Sequence, residues 1–277
     1  MISGKTTLIA HIGYPTETFK APLIYNPWFD AHGIDAIVVP MGVKAEDYPS
    51  TLRAVFKMTN IGGALITMPH KVTTLALADQ ASTTAKIAGS ANALRKDANG
   101  KLIADMFDGT GFTRGLARKG FKFSGARALV VGAGGVGSAI AASLAAEGIA
   151  ALVLFDTQVA SAQALAERLK LHYGRLDVRV GPAMVADQDL VVNATPLGMK
   201  DGDPLPFDVS QLAPSTFVGE VVMKREITPL LAAAKARGCQ IQVGTDMLLE
   251  MIPAYLEFFG FGTATPEELR AIAKVAY

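Results

Sequence analysis

Short apolar runs alternate with segments of helical periodicity along the first hundred residues of the chain. Apolar runs bounded by glycine or proline are typical of strands, and apolar positions three and four residues apart are typical of helices with one buried face. The predicted strands are residues 6–12, 36–43 and 63–68. The predicted helices run from Pro22 toward Gly33, over 48–59, and onward from Pro69. This alternation predicts an α/β fold in which helices cover a sheet.

A hairpin is predicted at the end of this first part. Residues 90–95 and 101–105 have strand character, and Asp97-Ala98-Asn99-Gly100 joins them. Asn-Gly readily adopts the positive φ that a tight turn requires. The hairpin adds antiparallel strands, so we expect the first sheet to be mixed.

The second half of the chain repeats a strand–helix pattern. Its predicted strands are almost wholly apolar, as expected of a parallel sheet buried on both faces. They are the run before Gly132 and residues 151–156, 178–180, 189–195, 216–222 and 241–244. Helices are predicted over 158–171 and 228–237, and the last two, 247–259 and 266–275, are expected to pack back on the first part.

The composition is that of an ordinary globular protein of 277 residues, with 50% hydrophobic residues and a formal net charge of +1. Nothing in this charge balance indicates a nucleic acid or a membrane surface as partner. Cys239 is the only cysteine, which excludes an internal disulfide and favours a reducing compartment, the cytoplasm. The uncharged run 128–146 approaches the length of a membrane helix, but its cluster of glycines favours a strand, a turn and a helix.

That cluster, Gly132-Ala133-Gly134-Gly135-Val136-Gly137, lies between an apolar strand and an alanine-rich helix. In this context the GxGxxG pattern is typical of a Rossmann dinucleotide site. The first glycine permits a tight turn, the second allows the backbone to approach a pyrophosphate, and Gly137 allows close packing of helix and strand. Free N–H groups at the helix start attract the phosphates. The alternative is a tight turn that binds no ligand.

Asp156 ends the next predicted strand, at about the separation expected of a carboxylate that binds the cofactor ribose. A carboxylate accepts hydrogen bonds from ribose hydroxyls and repels a 2′-phosphate. No Arg or Lys lies between Asp156 and Glu167 to neutralise such a phosphate, so we predict NAD over NADP. The alternative is an aspartate that caps the following helix.

A dehydrogenase also needs a side chain that moves the proton of the substrate hydroxyl. His70 and Lys71 follow a predicted strand end, and Asp105 and Asp108 follow the hairpin, at positions where a site can form. On spacing alone such a pairing is weak, and the alternative is that these residues are solvated surface charges. The histidines, which we expect at the surface or in turns, show no metal-ligand spacing, so no metal site is predicted. They are His11, His32, His70 and His172.

Seven segments, spread over most of the chain, match motifs of one enzyme family. They are Gly13-Tyr14-Pro15 with Lys20-Ala21-Pro22 (GNPIxHSxSP), Thr67-Met68-Pro69-His70-Lys71 (TVPFK), Gly89-Ser90-Ala91-Asn92-Ala93 (GAVNT), Asp105-Met106-Phe107-Asp108-Gly109 (DNTDG), Asn193-Ala194-Thr195-Pro196-Leu197-Gly198-Met199 (NATPLGM), Thr228-Pro229-Leu230-Leu231, and Gly244 through Leu248. NATPLGM is the most specific of them. On these segments the whole chain resembles the shikimate dehydrogenase family.

The resemblance implies a substrate domain formed by 1–108 and 245–277 and an NAD-binding Rossmann domain, 109–244. It implies that Lys71 shuttles the substrate hydroxyl proton, while Asp108 orients Lys71 and stabilises its charge. The implied reaction interconverts a cyclic hydroxy acid, shikimate or quinate, and its ketone, in the shikimate pathway of aromatic amino acid biosynthesis. We expect a monomer or a homodimer.

The resemblance assigns further residues to the two ligands. Those expected near the substrate are Thr67 and Asn92, with the positions of Phe19, Ala21 and Met251. Those expected near the cofactor, besides the glycine-rich turn with Val136 and Asp156, are Asn193, Thr195, Pro196, Leu197 and Gly244. For the 193–199 segment the alternative is a turn that only caps a helix.

The chain departs from the family pattern where polar side chains contact the substrate. The two serines that hold the substrate carboxylate in typical members fall at Phe19 and Ala21. An asparagine, a tyrosine and a glutamine of the pattern fall at Leu65, Met223 and Met251. An unpaired polar group buried against apolar side chains costs about 1–3 kcal/mol, so shikimate is expected to bind poorly.

Three alternatives follow from these departures, and a fourth concerns the function as a whole. The substrate is a different, less polar cyclic alcohol; Thr16 and Thr18 supply replacement hydroxyls; a loop shift changes the alignment; or the chain is a non-catalytic NAD-binding regulator. The presence of both Lys71 and Asp108 argues against the regulator.

Overall fold

The computed structural model describes residues 2–17 and 19–274, so Thr18, one of the two threonines considered above, lies outside the described residues. The chain forms two compact units, Met1–Phe107 with Ile252–Tyr277, and Asp108–Met251. The second division falls within the long helix Gly244–Phe259, whereas the boundary predicted from the sequence lies at the start of that helix.

The first unit contains a six-stranded mixed sheet, as the sequence predicts. Its strands are β1 (Thr7–Gly13), β2 (Ala36–Gly42), β3 (Ile61–Ile66), β4 (Gln80–Ala81), β5 (Ala93–Lys96) and β6 (Leu102–Asp105). The order across the sheet is β2-β1-β3-β5-β6-β4. The first three strands are parallel, and β5 pairs antiparallel with both β3 and β6.

Helices cover this sheet, and the end of the chain returns to it. They are α1 (Pro22–Ala31), α2 (Tyr48–Val55), α3 (Lys71–Leu77), α4 (Thr83–Ala88) and α10 (Pro266–Ile272), with the last part of α9 (Gly244–Phe259). The predicted return is confirmed, because the Lys274 N–H donates to the Leu23 carbonyl and the Phe261 ring packs edge-on against Phe29. A capping box of Thr265 and Glu268 begins α10.

Two details differ from the sequence prediction. Helix α2 ends at Val55, four residues earlier than predicted, and the short elements β4 and α4 were not predicted because neither has a periodic apolar pattern. In the hairpin only Gly100 has a positive φ, 77°, and the Asp97 N–H donates to the Lys101 carbonyl, which closes a three-residue loop.

The second unit is a parallel six-stranded sheet. Its strands are β7 (Arg127–Val131), β8 (Ala151–Phe155), β9 (Asp177–Val180), β10 (Leu190–Asn193), β11 (Phe217–Glu220) and β12 (Gln240–Gln242). Its helices are α5 (Asp108–Arg118), α6 (Gly135–Ala146), α7 (Val159–His172), α8 (Pro229–Ala236) and the first part of α9. The strand order β9-β8-β7-β10-β11-β12 is the 3-2-1-4-5-6 order of dinucleotide-binding sheets, which confirms the predicted Rossmann fold.

The central strands β7, β10 and β11 are buried on both faces, as predicted from their composition, whereas β9 and β12 at the two edges are partly exposed. Leu129, Val191 and Val218 are in register on one face of the central strands, and none of the three exposes any surface. Parallel strands end at one edge of a sheet, so the loops after β7, β8 and β10 lie together at that edge. Among the helices of residues 2–17 and 19–274, none has the length and apolar content of a membrane span.

Candidate active site

Lys71 is the first residue of α3, and its surroundings fix the start of that helix. The preceding residue, His70, is buried, its Nε2 lies 2.8 Å from the Val43 carbonyl oxygen, and its ring stacks on Tyr48 at 3.9 Å between centroids. The Lys71 carbonyl accepts a hydrogen bond of 2.9 Å from the Ala91 N–H. The Thr67–Lys71 and Gly89–Ala93 segments are therefore joined through the backbone.

Asn92 is almost fully buried and joins a third segment. Its Oδ1 accepts from the Phe107 N–H at 2.9 Å, and its carbonyl accepts from the Ile66 N–H at 2.7 Å and from the Tyr255 hydroxyl at 3.3 Å. Phe107 immediately precedes Asp108, which begins α5 and is 4% exposed. Asn92 thus fixes the main chain beside the predicted catalytic aspartate.

The other substrate residues predicted in the first unit lie around the ends of β1 and β3. Thr67 is half-buried and follows β3, and its Cγ2 occupies the space in front of Gly13 together with the Phe19 ring. Leu65 is 4% exposed, while Ala21, before α1, is half-buried. Of the two methionines in the second unit, Met223 is exposed and Met251 is half-buried.

The structure corrects the expectation that all four histidines lie at the surface or in turns. His32 and His172 are exposed, whereas His70 is 1% and His11 is 8% exposed. His11 lies inside β1, and burial lowers its pKa from 6.5 to about 4. The expectation was wrong for His11 because a neutral imidazole can occupy a buried position of an apolar strand. No cluster of three or more metal-ligating side chains occurs among the residues that the structure describes.

The glycine-rich turn has the geometry that a dinucleotide requires. Gly132 has φ 103°, which favours glycine, and a Cβ on Gly137 would lie 1.9 Å from the Gly132 carbonyl oxygen. Helix α6 begins at Gly135 with Val136 in its first turn, so its free N–H groups face the end of β7. The backbone of Ala194, after β10, also lies against Gly132, which brings two predicted cofactor segments together.

Asp156 is held in place by the backbone at the end of β8. One carboxylate oxygen accepts from the Ala133 N–H at 2.7 Å and the other from the Gln158 N–H at 2.8 Å. The N-cap of α7 is Gln158, so the alternative in which Asp156 itself caps the helix does not hold. The loops after β7, β8 and β9, residues 132–134, 156–158 and 181–189, contain no Lys or Arg.

The 193–199 segment forms its own hydrogen-bond network. Asn193 is fully buried, its Nδ2 donates to the Leu197 carbonyl at 3.0 Å, and its Oδ1 accepts from the Thr195 hydroxyl at 2.6 Å. Pro196 lies inside this turn. Gly244 begins α9, where a Cβ would lie 2.2 Å from the Val222 carbonyl oxygen. Asn193 and Gly244 therefore have structural roles, and cofactor contact by this group stays a prediction.

Comparison with known proteins gives the same assignment over both units. Two family models match the chain, the shikimate dehydrogenase substrate binding domain at residues 11–94 and shikimate / quinate 5-dehydrogenase at residues 115–197. The chain is 36% identical to the shikimate dehydrogenase (NADP(+)) of Acidiphilium cryptum, over 99% of this chain and 98% of that protein. This chain belongs to the shikimate dehydrogenase family.

Solved structures of the family agree with this result. A structure of shikimate 5-dehydrogenase from Listeria monocytogenes with shikimate and NAD has a TM-score of 0.92 and 26% identity, over 98% of this chain and 97% of that chain. Quinate dehydrogenase from Corynebacterium glutamicum with NAD has a TM-score of 0.87 and 31% identity, over 96% and 98% of the two chains. As a family member the chain is an oxidoreductase that acts on a CH–OH group with a nicotinamide cofactor.

Glu220 is a candidate functional residue that sequence reasoning missed. It ends β11, pairs with Asn193 in register, and exposes none of its surface. Burial raises the pKa of its carboxyl from 4.5 to about 7, and the neighbouring Thr228 and Asn193 side chains offset part of that effect. Neither carboxylate oxygen has a well-formed hydrogen bond among the described residues. The signal available in the sequence was a single acid at the end of an apolar strand.

Alanine substitutions should separate the ligand role of the glycine-rich turn from its packing role. A Cβ on Gly134 meets no atom of the described residues within 4 Å, whereas one on Gly137 collides with the Gly132 carbonyl. Gly134→Ala should keep the thermal midpoint within about 2 °C and weaken binding of the nicotinamide dinucleotide about tenfold. Gly137→Ala should lower both the thermal midpoint and the affinity for the dinucleotide. Differential scanning fluorimetry and calorimetric titration measure the two effects.

The matched control is Gly174→Ala, which also meets no neighbour and lies in the loop between α7 and β9. It should change neither quantity. Unchanged nicotinamide binding in Gly134→Ala would contradict the proposed approach of the cofactor to this backbone.

Glu220→Gln should stabilise the protein in a pH-dependent manner. Because the pKa of the Glu220 carboxyl is raised in the folded protein, the neutral carboxyl does not reduce the free energy of unfolding below pH 4.5. The free energy of unfolding then falls as the pH rises through about 7, where the buried group becomes charged. The gain in free energy of unfolding on replacement by Gln should therefore be small at pH 4.5 and reach the order of 2–3 kcal/mol at pH 8. Urea unfolding at several pH values measures it. The exposed Glu226→Gln is the control, and a pH-independent difference would refute the assignment.

Proposed function

We propose that this chain catalyses the NAD-dependent interconversion of a cyclic hydroxy acid of the shikimate or quinate class and the corresponding ketone. The observation that carries the proposal is the hydrogen-bonded junction of three segments, in which Lys71 is tied to Ala91 and Asn92 to Phe107, next to Asp108. The names of the relatives support this substrate class.

In this reaction Lys71 holds the proton of the substrate hydroxyl at its Nζ during oxidation and returns it during reduction. Asp108 orients the Lys71 ammonium and stabilises its charge. Asn92 and Thr67 hold the substrate, Asn92 from a backbone that its own hydrogen bonds make rigid. The nicotinamide ring, when bound, accepts or supplies the hydride at the carbon that bears the hydroxyl.

The glycine-rich turn and the start of α6 hold the cofactor pyrophosphate, and Asp156 binds the ribose hydroxyls. We propose NAD as the preferred cofactor, because the loops after β7, β8 and β9 offer no cation to a 2′-phosphate and Asp156 would repel it. The Listeria monocytogenes and Corynebacterium glutamicum structures contain NAD, whereas the Acidiphilium cryptum relative is named for NADP(+).

A second candidate substrate is a less polar cyclic alcohol. It is favoured by apolar side chains at five positions where the family pattern has polar ones. These are Phe19, Ala21, Leu65, Met223 and Met251. A polar substituent without partners against such side chains would cost about 1–3 kcal/mol per group, which is enough to select another compound.

Initial-rate measurements with NAD, monitored by the absorbance of the reduced nicotinamide, test the reaction. Shikimate, quinate and uncharged cyclic alcohols are the substrates. We expect turnover of at least one of them and a loss of about 10²–10⁴-fold in kcat for Lys71→Ala, because proton transfer is removed. Lys86→Ala, at an exposed position of α4, is the matched control. Full activity in Lys71→Ala would refute the mechanism, and turnover of uncharged alcohols alone would select the second candidate.

Cofactor preference gives an independent prediction. Direct titration should show tighter binding of NAD than of NADP. Thr157→Arg, directly after Asp156, should improve NADP affinity roughly 10–100-fold, because a charge-assisted hydrogen bond to the 2′-phosphate is gained. Gln163→Arg adds the same charge at an exposed position of α7 and should have no such effect. Equal affinities for NAD and NADP in the parent would refute the preference.

A further inference from the structure

His11 lies among the residues of the proposed substrate site in the first unit. It pairs in register with Leu65 of β3, so the two side chains are on the same face of the sheet. Its ring stacks on Phe19 at 4.1 Å between centroids. Two residues further along β1, the Phe19 ring and the Thr67 methyl group fill the space that a Cβ atom of Gly13 would occupy. His11, Leu65, Thr67 and Phe19 thus form one cluster, called here the β1–β3 cluster.

One nitrogen of the imidazole in this cluster has no hydrogen bond among the described residues. His11 keeps 8% of its surface accessible, and its Nδ1 is buried without a hydrogen-bond partner among the described residues. A buried polar atom without a partner is unfavourable, and native structures contain few of them.

We propose that His11 is a specificity-determining residue, whose imidazole hydrogen-bonds an uncharged hydroxyl or carbonyl group of the substrate at the β1–β3 cluster. The inference rests on the second candidate of the proposed function, the less polar cyclic alcohol, and it takes Thr67 and Phe19 as residues of the substrate site. It goes further by naming the chemical class of the substituent that this chain selects.

The protonation state of His11 determines whether the imidazole favours a neutral or an anionic substituent of the substrate. With a pKa of about 4, the ring is neutral at pH 7 and offers one N–H donor and one acceptor nitrogen. A carboxylate needs donors and a balancing charge when it leaves water, and a neutral ring supplies at most one donor. A hydroxyl or a carboxamide carries no charge, and either hydrogen-bonds a neutral imidazole as donor or acceptor.

Shikimate and its carboxamide differ only in this substituent and are the probes. With NAD and the parent protein, we expect kcat/KM for the carboxamide to exceed that for shikimate at least about tenfold. His11→Val should reduce this ratio by about 3–10-fold, the effect of one lost neutral hydrogen bond. Of His11→Asn and His11→Gln, which place an amide near Nδ1 and Nε2 respectively, at least one should recover the ratio.

Stability provides the readout that a merely structural histidine would not give. If the ring serves the substrate, His11→Val removes an unsatisfied buried nitrogen and should have a thermal midpoint equal to or above that of the parent. A lower midpoint together with an unchanged ratio would show that the ring only packs, and would overturn the inference. If His11→Val does not fold, the two amide variants carry the same ratio test.

Nitrogen-15 spectra of the histidine side chains test the contact without turnover. Addition of the carboxamide to the protein with NAD should shift the His11 ring resonances, and the exposed His172 should not respond. Turnover without a His11 shift, or a ratio unchanged in His11→Val, Asn and Gln, overturns this inference alone. Absence of binding and turnover for every cyclic alcohol overturns the proposed function and the inference with it.

Discussion

The hydrogen bonds of one buried residue, Asn92, hold the candidate catalytic segments of the first unit in a fixed arrangement. Its amide oxygen and its carbonyl oxygen accept from two backbone N–H groups and from the Tyr255 hydroxyl. Because an unpaired buried donor costs roughly 1–3 kcal/mol, displacement of any of these segments would be expensive. Asp108 follows directly in the sequence, as the first residue of the helix after Phe107.

The second unit applies the same principle at the edge of a parallel sheet. Here Asn193 closes the turn after β10, and Asp156 accepts two backbone N–H groups at the end of β8. The loops are rigid because their polar groups satisfy one another, which leaves the backbone of Gly134 and the start of α6 accessible to phosphates. The loops after β7, β8 and β9 contain no Lys or Arg, which favours a cofactor without a 2′-phosphate.

The parts of this architecture that the sequence predicts are those that depend on local pattern. The glycine-rich turn, the apolar strands of the second sheet and the Asn-Gly hairpin each require particular residues at short spacing. The short elements β4 and α4 lack such a pattern. Ser82 caps α4 by accepting a hydrogen bond from the Ala85 N–H, but in the sequence it is only one of several polar residues in this region. Burial of His11 and Glu220 was not predictable, because it depends on neighbours that are distant in sequence.

His11 and Glu220 share a physical situation that the fold itself does not explain. Each lies near the carboxyl end of a parallel strand, each is almost or fully buried, and each has buried polar atoms without a well-formed hydrogen bond among the described residues. Burial moves the pKa values of both groups toward the neutral form, to about 4 and about 7. Carboxyl ends of parallel strands are where α/β proteins bind ligands. A polar group kept there at a cost in stability is consistent with selection for binding rather than for folding.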